Sequence, residues 1–312
     1  MINKKYDIAV ILINYNSSEY TAKCIESIIE KTSANLDYQI IVVDNCSAAE
    51  DFAQLKTFMN KVASPNIQFI RSNINTGFGA GNMIGVNNSN ADFLAFVNND
   101  SLFTNDCLSI ITDAMNKDAG LGICGPLCFK EDGKLLPTID HFASPAKEIF
   151  GRKVLEKINP KLYPNRNKMY ESNQRAQFVS GSFMVVRTED FNAVGGFDTN
   201  IFLYYEETDL CKRLQKINKY AYLVPEARFI HYHGISTPSS ISIKTELKIS
   251  FLYVIRKHYG YLWHGFLLNY LRIKYFFSSI VKPKYRPLFR VLLGGAPLSG
   301  SLKTKQKLVP IS

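Results

Sequence analysis

The 312-residue sequence lacks the marks of several common protein classes. It contains no Gly-Lys-Ser or Gly-Lys-Thr, so the lysine that holds nucleotide phosphates in ordinary triphosphatases has no counterpart. Its six cysteines are scattered. Cys124 and Cys128 stand four apart, but no second Cys or His pair follows at zinc-finger spacing, so packed thiols are the expectation. The opening MINKKYDIAV shows no charged-then-apolar leader, and a reducing, cytoplasmic setting is expected. Membrane-spanning length is missing too: the aromatic-rich stretch from His258 to Leu271 is bounded by Lys257 and Arg272, short of the roughly 18 to 20 residues that a spanning helix needs.

Acidic residues are almost absent from one end of the chain. Residues 244–312 hold 13 of the 37 basic residues and a single acid, Glu246, whereas the rest is close to neutral. The net charge of +10 is therefore a property of a tail, and a nucleic-acid footprint over the body is not expected. With 46% hydrophobic and 21% charged residues, the chain has ample material for a core.

Short β-branched runs alternate with helical patterns through the body, which predicts a mostly parallel sheet with helices on its faces. Strands are predicted over 7–13, 39–43, 67–70 and 93–98. Helices are predicted after Ser18, which can cap the first, over 49–60, and over 77–88 with a glycine-rich entry. Polar residues collect where the strands end, at the edge where open α/β sheets bind ligands. The glycines of Asn75-Thr-Gly77-Phe-Gly79-Ala-Gly81-Asn82 suggest a dinucleotide loop, but the third glycine position falls on Asn82 or Ile84 and the loop follows the third strand, not the first.

Seven segments in order carry a resemblance: VILINYNS (10–17), VVDNCS (42–47), NTGFGAGNMIG (75–85), FVNND (96–100), VSGSFMVVR (179–187), GGFDTNIFLYYEETDLCKR (195–213) and FIHYHG (229–234). The chain resembles family-2 inverting glycosyltransferases of the GT-A fold, an α/β Rossmann-like class, and within them the rhamnosyltransferase-like enzymes of bacterial surface polysaccharide synthesis.

That resemblance implies a nucleotide-diphosphate sugar donor (UDP- or dTDP-linked), a saccharide or lipid-linked saccharide acceptor, and a divalent cation, Mn²⁺ or Mg²⁺. Asp100 would be the cation's carboxylate, because the family's Asp-x-Asp reads Asn98-Asn99-Asp100 here; read alone, that triplet is an ordinary turn. His231 would be a second metal ligand, and His233, two residues on, would reach phosphate or acceptor. Glu207 takes the place of the family's base, one methylene longer than the usual Asp. Glu206 would orient the site, and Asp209 stands at the spacing of a helical ion pair with Arg213. Asp44 resembles the acid that reads the pyrimidine, with Asn14, Tyr15 and Asn16 lining its pocket, Asn75, Gly77 and Asn82 closing on ribose and phosphates, and Asn98 and Asn99 also on the donor side. Gly181, Ser182 and Asp198 would shape the acceptor side.

Two regions are expected: a catalytic domain over 1–243, and a basic, aromatic helical region over 244–312 that docks peripherally on the inner, anionic face of the cytoplasmic membrane. Gly260 is a candidate break in it. A binding module that holds nucleotide sugar without turnover is the alternative from another class.

Overall fold

The computed structural model describes residues 4–232 and 240–309. Chain order is β1 (Tyr6–Asn14), α1 (Ser18–Lys31), β2 (Tyr38–Asp44), α2 (Ala49–Lys61), β3 (Ile67–Arg71), α3 (Gly77–Asn87), β4 (Ala91–Asn98), β5 (Ser101–Phe103), α4 (Cys107–Lys117) and β6 (Leu121–Phe129). Then follow β7 (Leu135–Leu136), β8 (Ile139–Asp140), α5 (Pro145–Phe150), α6 (Arg152–Ile158), β9 (Gln174–Ala176), β10 (Phe178–Val179), β11 (Phe183–Arg187), α7 (Thr188–Ala193), α8 (Glu206–Gln215), β12 (Tyr220–His231), α9 (Ile241–Val281) and α10 (Arg286–Leu293).

The main sheet runs β3-β2-β1-β4-β11-β6-β12-β5. The first four strands are parallel, β11 is antiparallel to both its neighbours, and β12 returns parallel to β6. Strand β1 alternates between two buried layers. Ile8, Val10 and Leu12 pack with Cys24, Ile25 and Ile28 of α1, while Ala9 and Ile11 join Phe191 and Leu210 on the other face. The sequence order reverses around β1, between β2 and β4, so a crevice opens at their carboxyl ends.

Glycine explains how α3 lies so close to this sheet. A Cβ at Gly85 would stand 2.4 Å from Ile11 Cγ2. The helix has poor intrinsic propensity, so close packing rather than local preference holds it. Helix α1 corrects one expectation: its cap position is Ser17, not Ser18, and neither supplies a side-chain cap. Asp51 instead reaches across from α2, where its Oδ1 accepts the Ser18 backbone N–H at 2.8 Å.

The basic region is bound to the body along its first part. In α9, Ile249, Leu252 and Ile255 pack into one cluster with Ala143 and Ile201, and Ser250 Oγ donates to Leu203 O at 2.9 Å. Gly260 interrupts the helix with φ 82° and ψ −179°. Beyond it, Leu267 and Leu271 pack on Leu288 and Leu292 of α10. The chain then folds back, and the buried Glu246 accepts from Ser301 Oγ at 2.8 Å and from Leu302 N at 2.7 Å. Residues 249–296 thus share a core with Ala143 and Ile201 of the body.

Candidate active site

Asp100 and His231 meet at the carboxyl edge although 131 residues separate them. Strand β5 follows Asp100 directly and pairs antiparallel with the end of β12, with Ser101 opposite His231. Tyr232 N donates to Asp100 O at 3.0 Å, which fixes the register. The side chains then face each other, His231 Nε2 lying 2.9 Å from Asp100 Oδ1 and 3.3 Å from Asn98 Nδ2. Asn99 turns the opposite way: its Nδ2 donates to Ser17 Oγ and Thr21 Oγ1, both at 2.7 Å, inside the core. The triplet therefore offers Asn98 and Asp100 to one side, while Asn99, expected in the donor pocket, ties the turn to α1. His233 lies outside the described residues.

The ends of β1 and β2 form a buried polar hub. Asn14 Nδ2 lies 2.9 Å from Asp44 Oδ1, 3.0 Å from Ser47 Oγ and 2.9 Å from Asp51 Oδ2, and Asn14 Oδ1 accepts from Thr21 Oγ1 at 2.8 Å. Asp44 is fully buried, takes Ser47 N at 3.3 Å on its other oxygen, and has Arg71 Nε 3.8 Å away. Its carboxylate is thus engaged by the protein itself. Tyr15 and Asn16 are exposed beside this hub. Asn16 adopts φ 53°, a left-handed value that asparagine tolerates, and its Oδ1 accepts from Ala48 N at 2.8 Å.

The glycine-rich turn is clasped from β2. Asn45 Nδ2 donates to Asn75 Oδ1 and to Gly77 O, both at 3.1 Å, and Asn45 Oδ1 accepts from Thr76 N at 3.0 Å. At Gly77, φ is 82° and a Cβ would lie 2.2 Å from Phe202 O, so only glycine fits. Asn82 is buried with its Nδ2 donating to Phe78 O at 2.9 Å, an engagement inside the helix.

The three acids of α8 separate cleanly. Tyr204 and Tyr205 enter the helix with φ of 71° and 72°, consecutive left-handed residues, and the Tyr205 ring lies 5.7 Å from that of Phe251 in α9. Glu206 is buried against α3, and its Oε1 has no partner. Burial, and then the neighbouring Glu207 charge, raises its pKa well above the ordinary value. Glu207 is half-buried, and its pKa is also raised, chiefly by burial, against the lowering charge of Lys147. Asp209 is fully buried and held by Arg213 Nε at 2.8 Å, Lys257 Nζ at 2.8 Å and His258 Nε2 at 2.7 Å. The Arg213 pair was legible from spacing; the Lys257 and His258 contacts, from a helix 49 residues away, carry no local signal. Although burial raises the Asp209 carboxyl, these partners outweigh it and hold the group well below the ordinary range.

Of the residues expected to shape the acceptor side, Ser182 O accepts from Asn98 N at 2.8 Å, and Gly181 faces Phe78. Asp198 is placed elsewhere. It accepts from Tyr253 OH at 2.8 Å and Lys257 Nζ at 2.7 Å, so it anchors α9 rather than a saccharide. The six cysteines are free thiols, five of them buried; burial pushes Cys128 up to about 12. Among the described residues no three His, Cys, Asp or Glu side chains cluster as a metal cage.

The glycosyl transferase family 2 profile matches residues 9–195. The rhamnosyltransferase WbbL of Escherichia coli K12 is 28% identical over 260 residues, covering 80% of this chain and 93% of that protein. An N-acetylglucosaminyl-diphospho-decaprenol L-rhamnosyltransferase of Mycobacterium tuberculosis is 27% identical over 215 residues, covering 63% of this chain and 69% of that one. Among solved structures, the mannosyltransferase PcManGT of Pyrobaculum calidifontis, in complex with GDP-Man and Mn²⁺, superposes with TM-score 0.57 at 11% identity over 96% of this chain and 88% of that chain. GalNAc-T7 with UDP, GalNAc and Mn²⁺ gives 0.61 at 13% identity over 80% of this chain, which spans 48% of that one. The chain therefore belongs to glycosyl transferase family 2, as a glycosyltransferase of the GT-A fold.

Proposed function

We propose that the protein moves a deoxyhexose of the rhamnose type from a UDP- or dTDP-linked donor to a hydroxyl of a lipid-linked saccharide, inverting the anomeric centre, in bacterial surface polysaccharide synthesis. The observation that carries this reading is the Asp100–His231 pair. Asp100 Oδ1 and His231 Nε2 lie 2.9 Å apart at the carboxyl edge, so this carboxylate and imidazole would together hold a divalent ion. One carboxylate and one imidazole leave the other positions to donor oxygens and water, a set that suits Mn²⁺ or Mg²⁺. A divalent ion held there would neutralise charge on the departing nucleotide diphosphate.

The remaining roles belong to the chain itself. Glu207 accepts the proton of the acceptor hydroxyl, and a carboxyl whose pKa is raised by burial is a stronger base than a solvated one. Glu206, buried at its side, fixes the start of α8. Tyr15, Asn16, Asn75 and Asn98 are the accessible donor-side groups, and Asn14 and Asp44 hold the pocket floor on which the pyrimidine lies. Gly181 and Ser182 border the acceptor.

Peripheral attachment to an anionic membrane on the cytoplasmic side completes the reading. Among the described residues no helix is long and apolar enough to cross a membrane. After Gly260, however, Leu262, Phe266, Ile273, Phe277 and Ile280 recur at helical spacing and are exposed, Leu262 by 91%. Lys274, Lys282, Lys284, Arg286 and Arg290 accompany this stripe, as an interfacial helix requires.

The direct test is nucleotide diphosphate release from candidate donors with metal and acceptor. Asp100→Asn, or excess chelator on the parent protein, should raise the barrier by about 3 kcal/mol or more. Full turnover in chelator refutes the metal-assisted reading.

A further inference from the structure

Three cations converge on one carboxylate next to the candidate base, in the 131–176 segment that carries no recognised motif. Asp140, at the end of β8, is paired with Lys147 Nζ at 3.0 Å, with Arg152 through Nε at 3.1 Å and Nη2 at 3.0 Å, and with Arg166 Nη1. One more acid stands nearby: Glu156, whose Oε1 lies 3.2 Å from His141 Nε2. Lys147, Arg152 and Arg166 thus share Asp140 and Glu156, with Glu207 also within reach of the Lys147 charge. All three are half-screened from water, with side-chain exposures of 24%, 38% and 23%. Strand β8 pairs with β10, which packs on α8, so the cluster lies beside Glu207, and the Lys147 charge acts on that carboxyl.

On its outer side the same segment turns apolar. Phe150, Val154 and Ile158 of α5 and α6 are exposed, Phe150 by 60%. Helix α5 packs on α9, where Glu148 lies 4.0 Å from Lys274. Base, cationic cluster and apolar surface are thus neighbours, and Phe150 is more exposed than any of the three cations. A sugar joined through a diphosphate to a lipid presents the matching chemistries: hydroxyl, doubly charged anion, hydrocarbon.

We propose that Lys147, Arg152 and Arg166 form the subsite for the acceptor's diphosphate, with the lipid leaving over Phe150 and Val154. This rests on the lipid-linked acceptor reading above. The guanidinium forks suit phosphate oxygens, and both Arg152 and Arg166 keep part of their surface open to an incoming anion. Asp140 holds the cations in place when the subsite is empty.

The test separates this subsite from the donor site and from the transfer reaction. Binding of geranyl diphosphate is measured calorimetrically in excess chelator, with geraniol as control. The parent should bind the diphosphate and not the alcohol. Arg152→Gln/Arg166→Gln, which leaves Lys147 on Asp140, should weaken binding at least tenfold, and Arg152→Gln alone should weaken it less; thermal melts show that each is folded. Asp100→Asn should bind as the parent does. In turnover, the double variant should raise KM at least tenfold for a lipid-diphosphate saccharide, but leave KM unchanged for the donor and for the same saccharide as a simple alkyl glycoside. No binding by the folded parent, binding lost in Asp100→Asn instead, or an equal KM rise with the alkyl glycoside would overturn the subsite. Geranyl diphosphate binding that needs the cluster, in a protein that transfers no sugar, would instead overturn the function proposed above while leaving the subsite standing.

Discussion

Replacing Asp209 by asparagine keeps the side chain's shape and removes the charge on which the junction between α8 and α9 is built. Arg213, Lys257 and His258 all close on that carboxylate, and Asp209 itself is fully buried. Removing the acid strands cations that cannot all reach water. Breaking a buried pair from one side costs about 3–5 kcal/mol. The lower figure applies, because Lys257 retains 29% exposure and a second partner in Asp198. A loss of about 3 kcal/mol lowers the melting temperature of a chain of this size by roughly 5 °C. The folded carboxyl gives up its proton more readily than the unfolded one, whose ordinary value is 3.8. Its stabilisation is therefore complete above roughly pH 5 and declines as pH falls through the lower folded value. Thermal melts from pH 3 to 8 should show Asp209→Asn below the parent at neutral pH and converging with it in acid. Nucleotide diphosphate release, assayed well below both melting temperatures, should be nearly unchanged. A variant that melts with the parent yet is inactive would make Asp209 part of the chemistry and refute the structural reading.

Glu207→Gln should behave in the opposite way, with turnover down roughly 100-fold or more and donor affinity and melting temperature near those of the parent. For the parent, the acid limb of the kcat profile should fall above 4.5, since the raised Glu207 carboxyl must be deprotonated to act; a midpoint at or below that value argues against it. Gly77→Ala forces a Cβ onto Phe202 O at a left-handed φ, and should cost about 2 kcal/mol or more while weakening nucleotide-sugar binding; a neutral effect on both would show that the turn does not need glycine. Leu262→Glu/Phe277→Glu should abolish sedimentation with anionic vesicles at low salt without lowering the melting temperature, as both side chains are exposed; unchanged sedimentation would leave the stripe without a membrane role.

Deleting residues 282–312 would be a poor version of that last test. It would strip Leu288 and Leu292 from the α9 cluster and remove the groups that satisfy Glu246. This shows what a local reading can and cannot reach. The strands of the parallel half and the break at Gly260 were legible because each depends on a run of neighbouring residues or on one conformational requirement. The Asp209–Arg213 pair was legible for the same reason, at four residues' separation. Residue types at the strand ends marked the edge correctly but not the direction in which each side chain points. Asn98 and Asn99 are adjacent and equally polar, yet one meets His231 and the other is consumed by Ser17 and Thr21, because successive side chains at a strand end face opposite ways. Asp198 was misplaced for a related reason: its partners Tyr253 and Lys257 lie more than fifty residues on, in a helix whose docking no periodicity announces. The Asp140 cluster escaped notice entirely, since its cations come from three different short segments and only the fold brings them to one carboxylate. Chemistry built from neighbours in sequence is readable in advance; chemistry built from neighbours in space, as around Asp140, is not.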